Sequence, residues 1–457
     1  MMSRKTNRRE FLSTIAVGGA GLLAAGSVGC ARMKTRPAVR MRTVSPNEKL
    51  NIACIGCGGK GEGEVQDAAR EKLVALCDVD EKRARKAFEE YSDVPKFKDY
   101  RVMLDKMGKD IDAVTVSTPD HIHAPAAIMA MLMGKHAFVQ KPLARSVYEC
   151  RRLAEVAREM KVATQMGNQG TSTKGLRHAV EIIQAGVLGP VKTLNVWTNR
   201  PIWPQGQGAL DGRQKQAKEP KPDTLDWNLW LGPAPKRPYN ACYLPFNWRG
   251  WYDWGTGAFG DMACHTLNMP YWGLQLGQPL SIEGKVSKLM EEVFPSGSVV
   301  KYEFPERKGL PPLTMYWYDG DMKPNAQQLG LPEGERVSAS GALIVGEKGM
   351  MYSDGDYGDK WHLTPKSFAE GAKLPEEKMP VSPGHFEEWV RACKGGKPAM
   401  SNFPDYSGLL AEIVVLGCVA QRIPGRKLEW NPKTMKFKGC PEAEPIVHPK
   451  FPAGYEV

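Results

Sequence analysis

The stretch from Asn51 to Val65, NIACIGCGGKGEGEV, carries two overlapping motifs that predict different chemistry. Cys54 and Cys57 have the C-x-x-C spacing of redox and zinc sites, whereas residues 56–61 have the G-x-G-x-x-G spacing of a dinucleotide-binding turn. The apolar run before the glycines predicts a strand, and the residues after them predict a helix, which is the context that a phosphate turn needs. We therefore interpret the stretch as a dinucleotide turn whose cofactor-site residues are Gly56, Gly58, Gly59, Lys60 and Gly61.

The next apolar run supports this interpretation. KLVALCDVD, at residues 72–80, reads as a buried strand that ends at Asp78, 22 residues after Gly56. A carboxylate at this place accepts hydrogen bonds from the adenosine ribose and repels a 2′-phosphate, which favours NAD over NADP. Arg83 and Arg85 follow closely and weaken that preference. In this arrangement the two cysteines of the C-x-x-C lie in a buried strand and in the turn, where neither is an exposed, acidic thiol.

Strands and helices alternate between residues 49 and 170, and the strands are apolar throughout. This pattern predicts a doubly wound parallel sheet, a Rossmann domain. We expect its strands at residues 49–60, 72–80, 112–119, 136–142 and 162–168, and its helices at 61–70, 81–91, 124–135 and 147–160. From about residue 190, runs such as VKTLNVWTN and LTMYWYDG alternate apolar and polar residues, which favours an antiparallel sheet in a second domain at 171–457.

Residues 1–30 predict an export signal. Asn7-Arg8-Arg9-Glu10-Phe11-Leu12 precedes a short apolar run rich in Gly and Ala, which is typical of a twin-arginine signal. An ordinary secretory signal and an N-terminal anchor are the alternatives. Cys30 follows Gly26-Ser27-Val28-Gly29, a sequence similar to a lipoprotein cleavage site, so a lipid anchor at Cys30 stays open. Residues 31–48 would then form a tether, and the protein would lie in the periplasm.

The net charge of +11 does not indicate nucleic-acid binding. Residues 1–44 hold nine Lys and Arg and one acidic residue, so the remaining chain is nearly neutral. The ten cysteines are widely spread and mostly sit in apolar runs, which favours buried free thiols. His121 and His123 are two residues apart in a predicted turn, a weak pattern for a metal, and we expect no metal site.

Further motifs identify a family resemblance. IGCGGKG, ALCDVD, VSTPDHIHAPAA and VQKPLA, followed by GTGAFGDMACHTLN and HFEEWVRACKGGKP, together resemble the Gfo/Idh/MocA oxidoreductases over most of the chain after the leader. The resemblance implies a Rossmann domain followed by a C-terminal α/β domain with a large, open, mostly antiparallel sheet. It also implies terminal helices that pack back on the Rossmann domain, a homo-oligomer, and a nicotinamide that meets the substrate between the domains.

The resemblance also assigns roles by motif. Lys141 matches the lysine of the Glu-Lys-Pro motif that touches the reacting hydroxyl, but Gln140 stands where that motif has Glu. Asp261 and His265 match an Asp-x-x-x-His pair. Thr118 and Pro119 match the turn under the cofactor, and we place His121 and Gln140 beside the nicotinamide.

The chemistry of these residues suits hydride removal from a carbinol carbon. The hydroxyl proton must leave with the hydride, and a histidine of near-neutral pKa such as His265 is a suitable base. Asp261 precedes it by four residues, on the same helical face, and is expected to orient it. The ammonium of Lys141 would stabilise the developing alkoxide.

The aromatic-rich segment at residues 225–254 predicts a sugar site, because aromatic faces stack on the C–H faces of sugar rings. Packing between domains or subunits is the alternative. We assign Trp251 and Tyr252 to the substrate, with Asn168 and Gln169 as hydroxyl binders. Asn247, Arg249 and Asp253 are further candidates for contacts with hydroxyls.

The sequence therefore predicts an exported oxidoreductase with tightly bound NAD that acts on a ring hydroxyl, such as C3, of a sugar or glycoside. A redox-neutral glycosidase, which oxidises C3 transiently and eliminates the glycosidic substituent, is the second hypothesis. Such an enzyme needs a second base, which the sequence does not identify. A non-catalytic sugar-binding protein that holds the cofactor is the third.

Overall fold

The computed structural model describes residues 43–215 and 219–457, so the predicted export signal and Cys30 lie outside the described residues. Two sheets organise this part of the chain, one of six strands and one of nine. The candidate site lies between them.

The first sheet is parallel and has the strand order β3-β2-β1-β4-β5-β6. Its strands are β1 (Asn51–Ile55), β2 (Lys72–Cys77), β3 (Lys96–Phe97), β4 (Ala113–Val116), β5 (His136–Val139) and β6 (Thr164–Met166). Its helices are α1 (Gly61–Arg70), α2 (Glu81–Glu90), α3 (Tyr100–Met107), α4 (Asp120–Leu132) and α5 (Val147–Met160). The strand order reverses between β1 and β4, and such a switch point opens a ligand crevice at the carboxyl ends of the strands. The predicted doubly wound sheet is confirmed.

Two features of this domain differ from the sequence prediction. Helix α4 begins at Asp120 and not at residue 124, because Pro119 caps it with a non-helical ψ of 151° and the chain turns helical directly afterwards. Strand β3 and helix α3 were not predicted, since a strand of two residues is too short to show a periodic pattern.

The second sheet has the order β13-β12-β11-β7-β10-β9-β8-β14-β15. All its pairings are antiparallel except that of β7 with β10, so the predicted large and mostly antiparallel sheet is confirmed. Its strands are β7 (Val191–Trp197), β8 (Ser281–Val286), β9 (Gly297–Phe304), β10 (Leu313–Gly320), β11 (Gly341–Gly346), β12 (Met350–Ser353), β13 (His362–Thr364), β14 (Lys427–Asn431) and β15 (Lys436–Phe437). The buried residues alternate along β9 and β10, as expected for strands with one covered face.

Ten helices accompany the second sheet within the described residues. They are α6 (Lys174–Gln184), α7 (Gln207–Lys215), α8 (Trp227–Leu231), α9 (Gly257–Thr266), α10 (Asn268–Gly273), α11 (Ala326–Leu329), α12 (Lys366–Gly371), α13 (His385–Cys393), α14 (Gly408–Arg422) and α15 (Glu444–Val447). Helix α9 carries Asp261 and His265.

Late helices join the two domains. On α13, Phe386 and Trp389 pack with Phe138 of β5 in one buried cluster. On α14, the Glu412 carboxylate accepts a hydrogen bond from Arg151 Nε of α5 at 3.0 Å. The stretch Phe403–Arg422 is long and apolar enough to cross a membrane, but 83% of its most apolar window is buried inside the protein, as in a core helix.

The folded part of the chain also begins earlier than the sequence predicts. Val44 falls in the predicted tether at residues 31–48, yet it is 4% exposed and packs in the same cluster as Leu50 and Trp389. Val44 therefore belongs to the packed structure, whereas residues 45–48 are exposed.

Candidate functional site

The glycine turn forms one end of a cavity of about 480 Å³ that runs along the carboxyl ends of the parallel strands. Gly56 has φ +84°, and a Cβ there would lie 2.6 Å from the Ser117 carbonyl oxygen. A Cβ on Gly61 would lie 2.2 Å from the Gly56 oxygen, so only glycine lets α1 start this close to β1. Gly56, Gly58 and Lys60 line the cavity, whereas Gly59 and Gly61 shape the turn from behind.

The turn is suited to the diphosphate of a dinucleotide. The backbone amides of Gly58, Gly59 and Lys60 make no hydrogen bond to any other part of the chain that the structure describes. They precede the N-terminus of α1, where free N–H groups and the helix dipole favour an anion. The Rossmann domain therefore has a cradle that fits NAD.

Asp78 lies at the end of β2, in the wall of the same cavity. Its two carboxylate oxygens accept hydrogen bonds from the amides of Cys57, at 2.8 Å, and Asp80, at 3.0 Å. Burial raises the pKa of Asp78, and these amide bonds oppose the rise. Each oxygen keeps a second lone pair that can accept a ribose hydroxyl.

Arg83 adds a cation to this end of the cavity. A Cβ on Gly59 would lie 2.6 Å from Arg83 Nη2, so the guanidinium covers the turn, and Arg83 also lines the cavity. Arg85, in contrast, faces Glu89 at 3.9 Å, and both side chains are mostly exposed. The sequence analysis named Arg83 and Arg85 as residues that weaken the preference for NAD. Of these two, only Arg83 lies in the cavity, where it could contact the cofactor.

The opposite end of the cavity holds Lys141, Asp261 and His265. Lys141 Nζ donates to Asp261 Oδ1 at 2.9 Å and to the Asp261 carbonyl oxygen at 2.8 Å. Arg249 Nε donates to the same Oδ1 at 3.2 Å. Burial acts to raise the pKa of Asp261, but the two cations outweigh it and lower that pKa to about 2. Asp261 is therefore a carboxylate at every physiological pH, and it holds the ammonium of Lys141 in the cavity wall.

His265 differs from the sequence prediction in two respects. Its Nδ1 is buried and has no hydrogen-bond partner among the described residues, so Asp261 holds Lys141 and does not orient the imidazole. Burial lowers the pKa of His265 well below its usual value, and the charge of Lys141 lowers it further. The ring is therefore neutral at pH 7. Tyr357, which the sequence reasoning missed, packs its ring edge-on against the imidazole at 4.9 Å.

Asp120 is a second acidic residue of this site that the sequence reasoning missed. It lines the cavity, is 4% exposed, and accepts a hydrogen bond from Thr256 Oγ1 at 2.7 Å. Burial raises the pKa of Asp120 to about 7, despite the opposing effects of the Thr256 hydrogen bond and of the nearby cations Arg249 and Lys141. An acid that titrates near neutrality in a polar cavity is suited to proton transfer.

Gln140 lies between the glycine turn and Lys141, in the cavity wall with Thr118 and Pro119. Its Nε2 donates to Glu64 Oε1 at 2.8 Å, and Lys60 Nζ lies 2.8 Å from the same oxygen. The carboxylate that the family motif has at position 140 is thus replaced by an amide that binds the buried Glu64. No sequence spacing relates Glu64 to Gln140, which are 76 residues apart.

His121 and His123 do not lie in a loop beside the cofactor. The early start of α4 places both rings in the interior, where His121 Nε2 contacts the Trp230 carbonyl oxygen at 2.9 Å and His123 Nε2 contacts that of Thr118 at 2.8 Å. Burial lowers the pKa of His121 to about 3 and that of His123 to about 4. Neither ring lines the cavity, so the prediction that His121 binds the cofactor does not match its position.

Of the residues predicted to bind the substrate, some lie outside the cavity. Trp251 is 1% exposed and packs with Trp254, and Tyr252 packs against Phe294, so neither reaches the cavity. Asn168 is fully buried, where it bonds Asn268 and Ser401, whereas Gln169 does line the cavity. Asn247 donates to the Cys242 carbonyl oxygen, and Asp253 accepts from Arg237.

Other residues of the aromatic segment line the cavity instead. They are Trp230, Phe246 and Trp248, joined by Ile202 and Tyr357 from elsewhere in the chain, and the candidate Arg249 lines the cavity as well. Apart from Arg249, the sequence did not identify which members of this segment face the cavity, because irregular loops have no periodicity from which side-chain direction can be read.

The cysteines are placed as free thiols. The nine in the described residues are all buried and none is paired. Burial raises the pKa of Cys54 to about 12 and that of Cys57 well above its usual value. The C-x-x-C therefore lacks the reactive thiolate of a redox motif. Within residues 43–215 and 219–457, no group of three or more His, Cys, Asp or Glu side chains could hold a metal ion.

Both domains match known families. Residues 50–168 match the Gfo/Idh/MocA oxidoreductase family, NAD-binding Rossmann fold, and residues 171–287 match its C-terminal alpha/beta domain. A glycosyl hydrolase family 109 protein of Shewanella pealeana is 31% identical over 202 residues, which cover 40% of this chain and 44% of that protein. An alpha-N-acetylgalactosaminidase of Shewanella oneidensis is 30% identical over 207 residues, with the same coverages. The chain thus spans less than half the length of these relatives.

The fold is shared with solved dehydrogenases. The WlbA dehydrogenase of Bordetella pertussis, solved with NADH and UDP-GlcNAcA, has a TM-score of 0.57 and 16% sequence identity, and the match covers 84% of this chain and 99% of that one. At this identity the likeness concerns the fold. The two matched domains span just over half of the chain, and they show that it belongs to the Gfo/Idh/MocA family of NAD-binding oxidoreductases.

Proposed function

We propose that the protein oxidises a ring hydroxyl, at C3, of a sugar or glycoside, with NAD as its tightly bound cofactor. The observation that carries this proposal is the position of Lys141, Asp261 and His265 at one end of a cavity whose other end is the glycine turn. When bound, NAD supplies the acceptor for the hydride that leaves the carbinol carbon.

The residues of the protein accept the hydroxyl proton of the substrate. His265 is neutral at pH 7 because burial and Lys141 depress its pKa, so it is free to accept the hydroxyl proton. A base of such low pKa takes this proton only if the developing alkoxide is stabilised. Lys141, fixed by Asp261 at 2.9 Å, supplies that stabilisation as a charge-assisted donor. The two residues are therefore expected to act as one unit.

We expect Asp78 to favour NAD over NADP, because its carboxylate lies in the cavity wall at the end of β2, where the adenosine ribose would bind. Arg83 beside it is the one feature that would support a 2′-phosphate. Titration with NAD and NADP of the wild type and of Arg83→Ala measures the preference.

The walls around the catalytic end suit a sugar ring. Phe246 and Trp248 offer aromatic faces, and Arg249 Cζ lies 4.2 Å and 4.3 Å from their ring centroids. Gln169 and Tyr357 provide polar atoms in the same cavity. Aromatic faces with a few polar groups are the usual composition of a carbohydrate site.

A redox-neutral glycosidase is the second candidate. It is favoured by the position of Asp120 in the cavity wall, where this residue could act as the second base. It is also favoured by relatives that are named as glycosyl hydrolase family 109 proteins. Oxidation at C3 acidifies the hydrogen on C2. In this cycle the Asp120 carboxylate removes the C2 proton, the C1–O bond breaks, and the aglycone leaves with its electron pair. Water then adds at C1, Asp120 returns a proton to C2, and reduction at C3 restores the sugar, so no net oxidation occurs.

Aryl glycosides separate the candidates. The purified protein is incubated with a panel of aryl glycosides and NAD, and NADH absorbance and released phenol are recorded separately. NADH or a keto-glycoside without phenol supports the dehydrogenase, and phenol without net NADH supports the redox-neutral cycle. Neither product across the panel would contradict both enzymatic proposals and leave the non-catalytic sugar-binding protein. Lys141→Ala and His265→Ala are expected to abolish turnover, and an unchanged rate in either variant would contradict the assigned site.

Export by the twin-arginine route, retention by a lipid on Cys30 and assembly into a homo-oligomer are further proposals. Replacing Arg8 and Arg9 by Lys should keep the protein in the cytoplasm, whereas Cys30→Ala should release it from membranes into the periplasmic fraction. Light scattering of the purified protein measures the oligomeric state.

A further inference from the structure

Two segments outside the Rossmann sheet border the end of the cavity around Asp78. The first, residues 224–230, crosses the carboxyl end of β2: Asp226 N donates to the Val79 carbonyl oxygen at 2.9 Å, and Glu81 N donates to that of Thr224 at 3.1 Å. It places Leu229 and Trp230 in the cavity wall. The second, residues 448–457, contributes Tyr455.

Segment 448–457 is held at several points along the Rossmann domain. The ring of His448 packs on Tyr148 of α5 at 3.8 Å, and the Tyr148 hydroxyl donates to the Val457 carbonyl oxygen at 3.1 Å. Between these points the chain turns so that Tyr455 N donates to the Pro452 carbonyl oxygen at 3.1 Å. A Cβ on Gly454, in this turn, would lie 3.2 Å from Arg101 Nη1, so the turn lies against α3.

At α3 the Tyr455 ring meets Arg101, whose Cζ lies 4.4 Å from the ring centroid. Arg101 is itself held by Asp99 through hydrogen bonds of 2.7 to 3.1 Å. Lys98, Asp99 and Tyr100 line the cavity just after β3, and Asp78 N bonds the Phe97 carbonyl oxygen at 3.0 Å. Tyr455 therefore lies at the adenosine end of the cavity, beside the ribose-binding position and far along the chain from the glycine turn.

We propose that Tyr455 is a cofactor-binding residue that closes the adenosine half of the cavity against Trp230 and slows the release of NAD. An aromatic ring in this wall can bury apolar surface of the adenosine by packing against it. The guanidinium of Arg101 holds the ring in position through a cation–π contact. The proposal rests on NAD binding by the Rossmann domain and not on the proposed sugar chemistry, so each can fail without the other.

Tyr455→Ala tests this role, with Tyr455→Phe and Lys450→Ala as controls. The phenylalanine keeps the ring on Arg101, and Lys450 is an exposed residue of the same segment. Dissociation constants for NAD, ADP-ribose and nicotinamide mononucleotide are measured by calorimetry, and the release of NAD is followed after dilution into excess competitor. We expect Tyr455→Ala to release NAD about tenfold faster and to bind NAD and ADP-ribose about tenfold more weakly. Nicotinamide mononucleotide binding and both controls should change by less than about twofold.

Equal affinities and release rates in Tyr455→Ala and the wild type would overturn the proposal. An equal loss for ADP-ribose and nicotinamide mononucleotide would also overturn it, because it would indicate general loosening of the fold. Thermal unfolding of the cofactor-free proteins identifies such loosening directly.

Discussion

Lys141 Nζ and Asp261 Oδ1 are 2.9 Å apart, and this contact joins the Rossmann domain to the second domain at the candidate site. The side chains are 17% and 14% exposed, so the pair is shielded from water. A shielded ion pair with good geometry holds both groups in place, and removal of one partner leaves the other charge uncompensated. The contact thus positions the ammonium and couples the domains in the same place.

Asp261→Asn should destabilise the protein in a pH-dependent way. The pKa of Asp261 is about 2 in the folded state and 3.8 in its ordinary state, so its charge contributes stability above pH 4. That contribution, about 2 kcal/mol, disappears as the pH falls from about 4 through about 2. Urea unfolding at pH 7, 4 and 3 should show a difference between wild type and variant that shrinks with acid. A constant difference would contradict the ion-pair assignment.

Asp120→Asn should show the opposite trend. The folded-state pKa of Asp120 is about 7, above its ordinary value of 3.8, so the protonated acid stabilises the fold below pH 4. This stability falls as the pH rises from about 4 through about 7, by up to about 4 kcal/mol. Asparagine does not titrate, and the variant should therefore lose less stability over that range. Equal slopes for the two proteins between pH 4 and 8 would show that Asp120 is ionised in the fold throughout.

Two glycines of α1 provide a matched pair for the phosphate turn. Gly61→Ala places a methyl group 2.2 Å from the Gly56 carbonyl oxygen, whereas at Gly63 the nearest atom, Lys60 Nζ, is 3.8 Å away. We expect Gly61→Ala to abolish NAD binding at millimolar concentration and to lower stability by about 2–3 kcal/mol. Gly63→Ala should bind NAD normally and gain up to about 1 kcal/mol, since alanine favours the helix. Calorimetric titration and thermal unfolding of both variants check this.

Variants of Phe246 and Trp251 test whether the proposed sugar site is formed by the residues that line the cavity or by those assigned from the sequence. Phe246 lines the cavity and is 38% exposed, so Phe246→Ala should raise the substrate KM about tenfold with little change in stability. Trp251 is 1% exposed, so Trp251→Ala should lower stability by about 3–5 kcal/mol. The milder Trp251→Phe variant, which is expected to fold, should keep the wild-type KM. A raised KM in that variant would return Trp251 to the substrate site.

The C-x-x-C should be chemically inert in the folded protein. Cys54 and Cys57 are both completely buried, and burial raises the pKa of each thiol. In the folded, NAD-loaded protein neither thiol should react with a maleimide within an hour at pH 7, and both should react in urea. Mass spectrometry of tryptic peptides gives the labelled positions. Labelling of either cysteine in the native state would revive the redox interpretation.

Much of the architecture could be predicted from local sequence patterns. Strands that are buried on both faces have continuous apolar runs, as around the glycine turn, and strands that are buried on one face alternate, as after residue 190. Both patterns are local, and the structure contains the two expected sheets. Gly56 and Gly61 could also be assigned, because their spacing reports a backbone geometry that no other residue tolerates. In contrast, the sequence did not predict which residue forms a hydrogen bond or ion pair with a given side chain. The four-residue spacing of Asp261 and His265 suggested that the carboxylate orients the imidazole, yet Asp261 binds Lys141 and Arg249.

By itself the sequence determined the parallel sheet and the dinucleotide turn, because these depend on periodicity and on spacings within about 30 residues, whereas the residues for hydride chemistry were assigned by resemblance to the family motifs. Only the tertiary structure decided which aromatics face the cavity, that burial raises the pKa of Asp120 to about 7, and that Glu64 binds Gln140. The reason is that the burial and the ion pairs of these side chains depend on residues from distant parts of the chain. The same physical reason explains Tyr455, which the fold returns to the cofactor cavity some 400 residues after the turn that defines it.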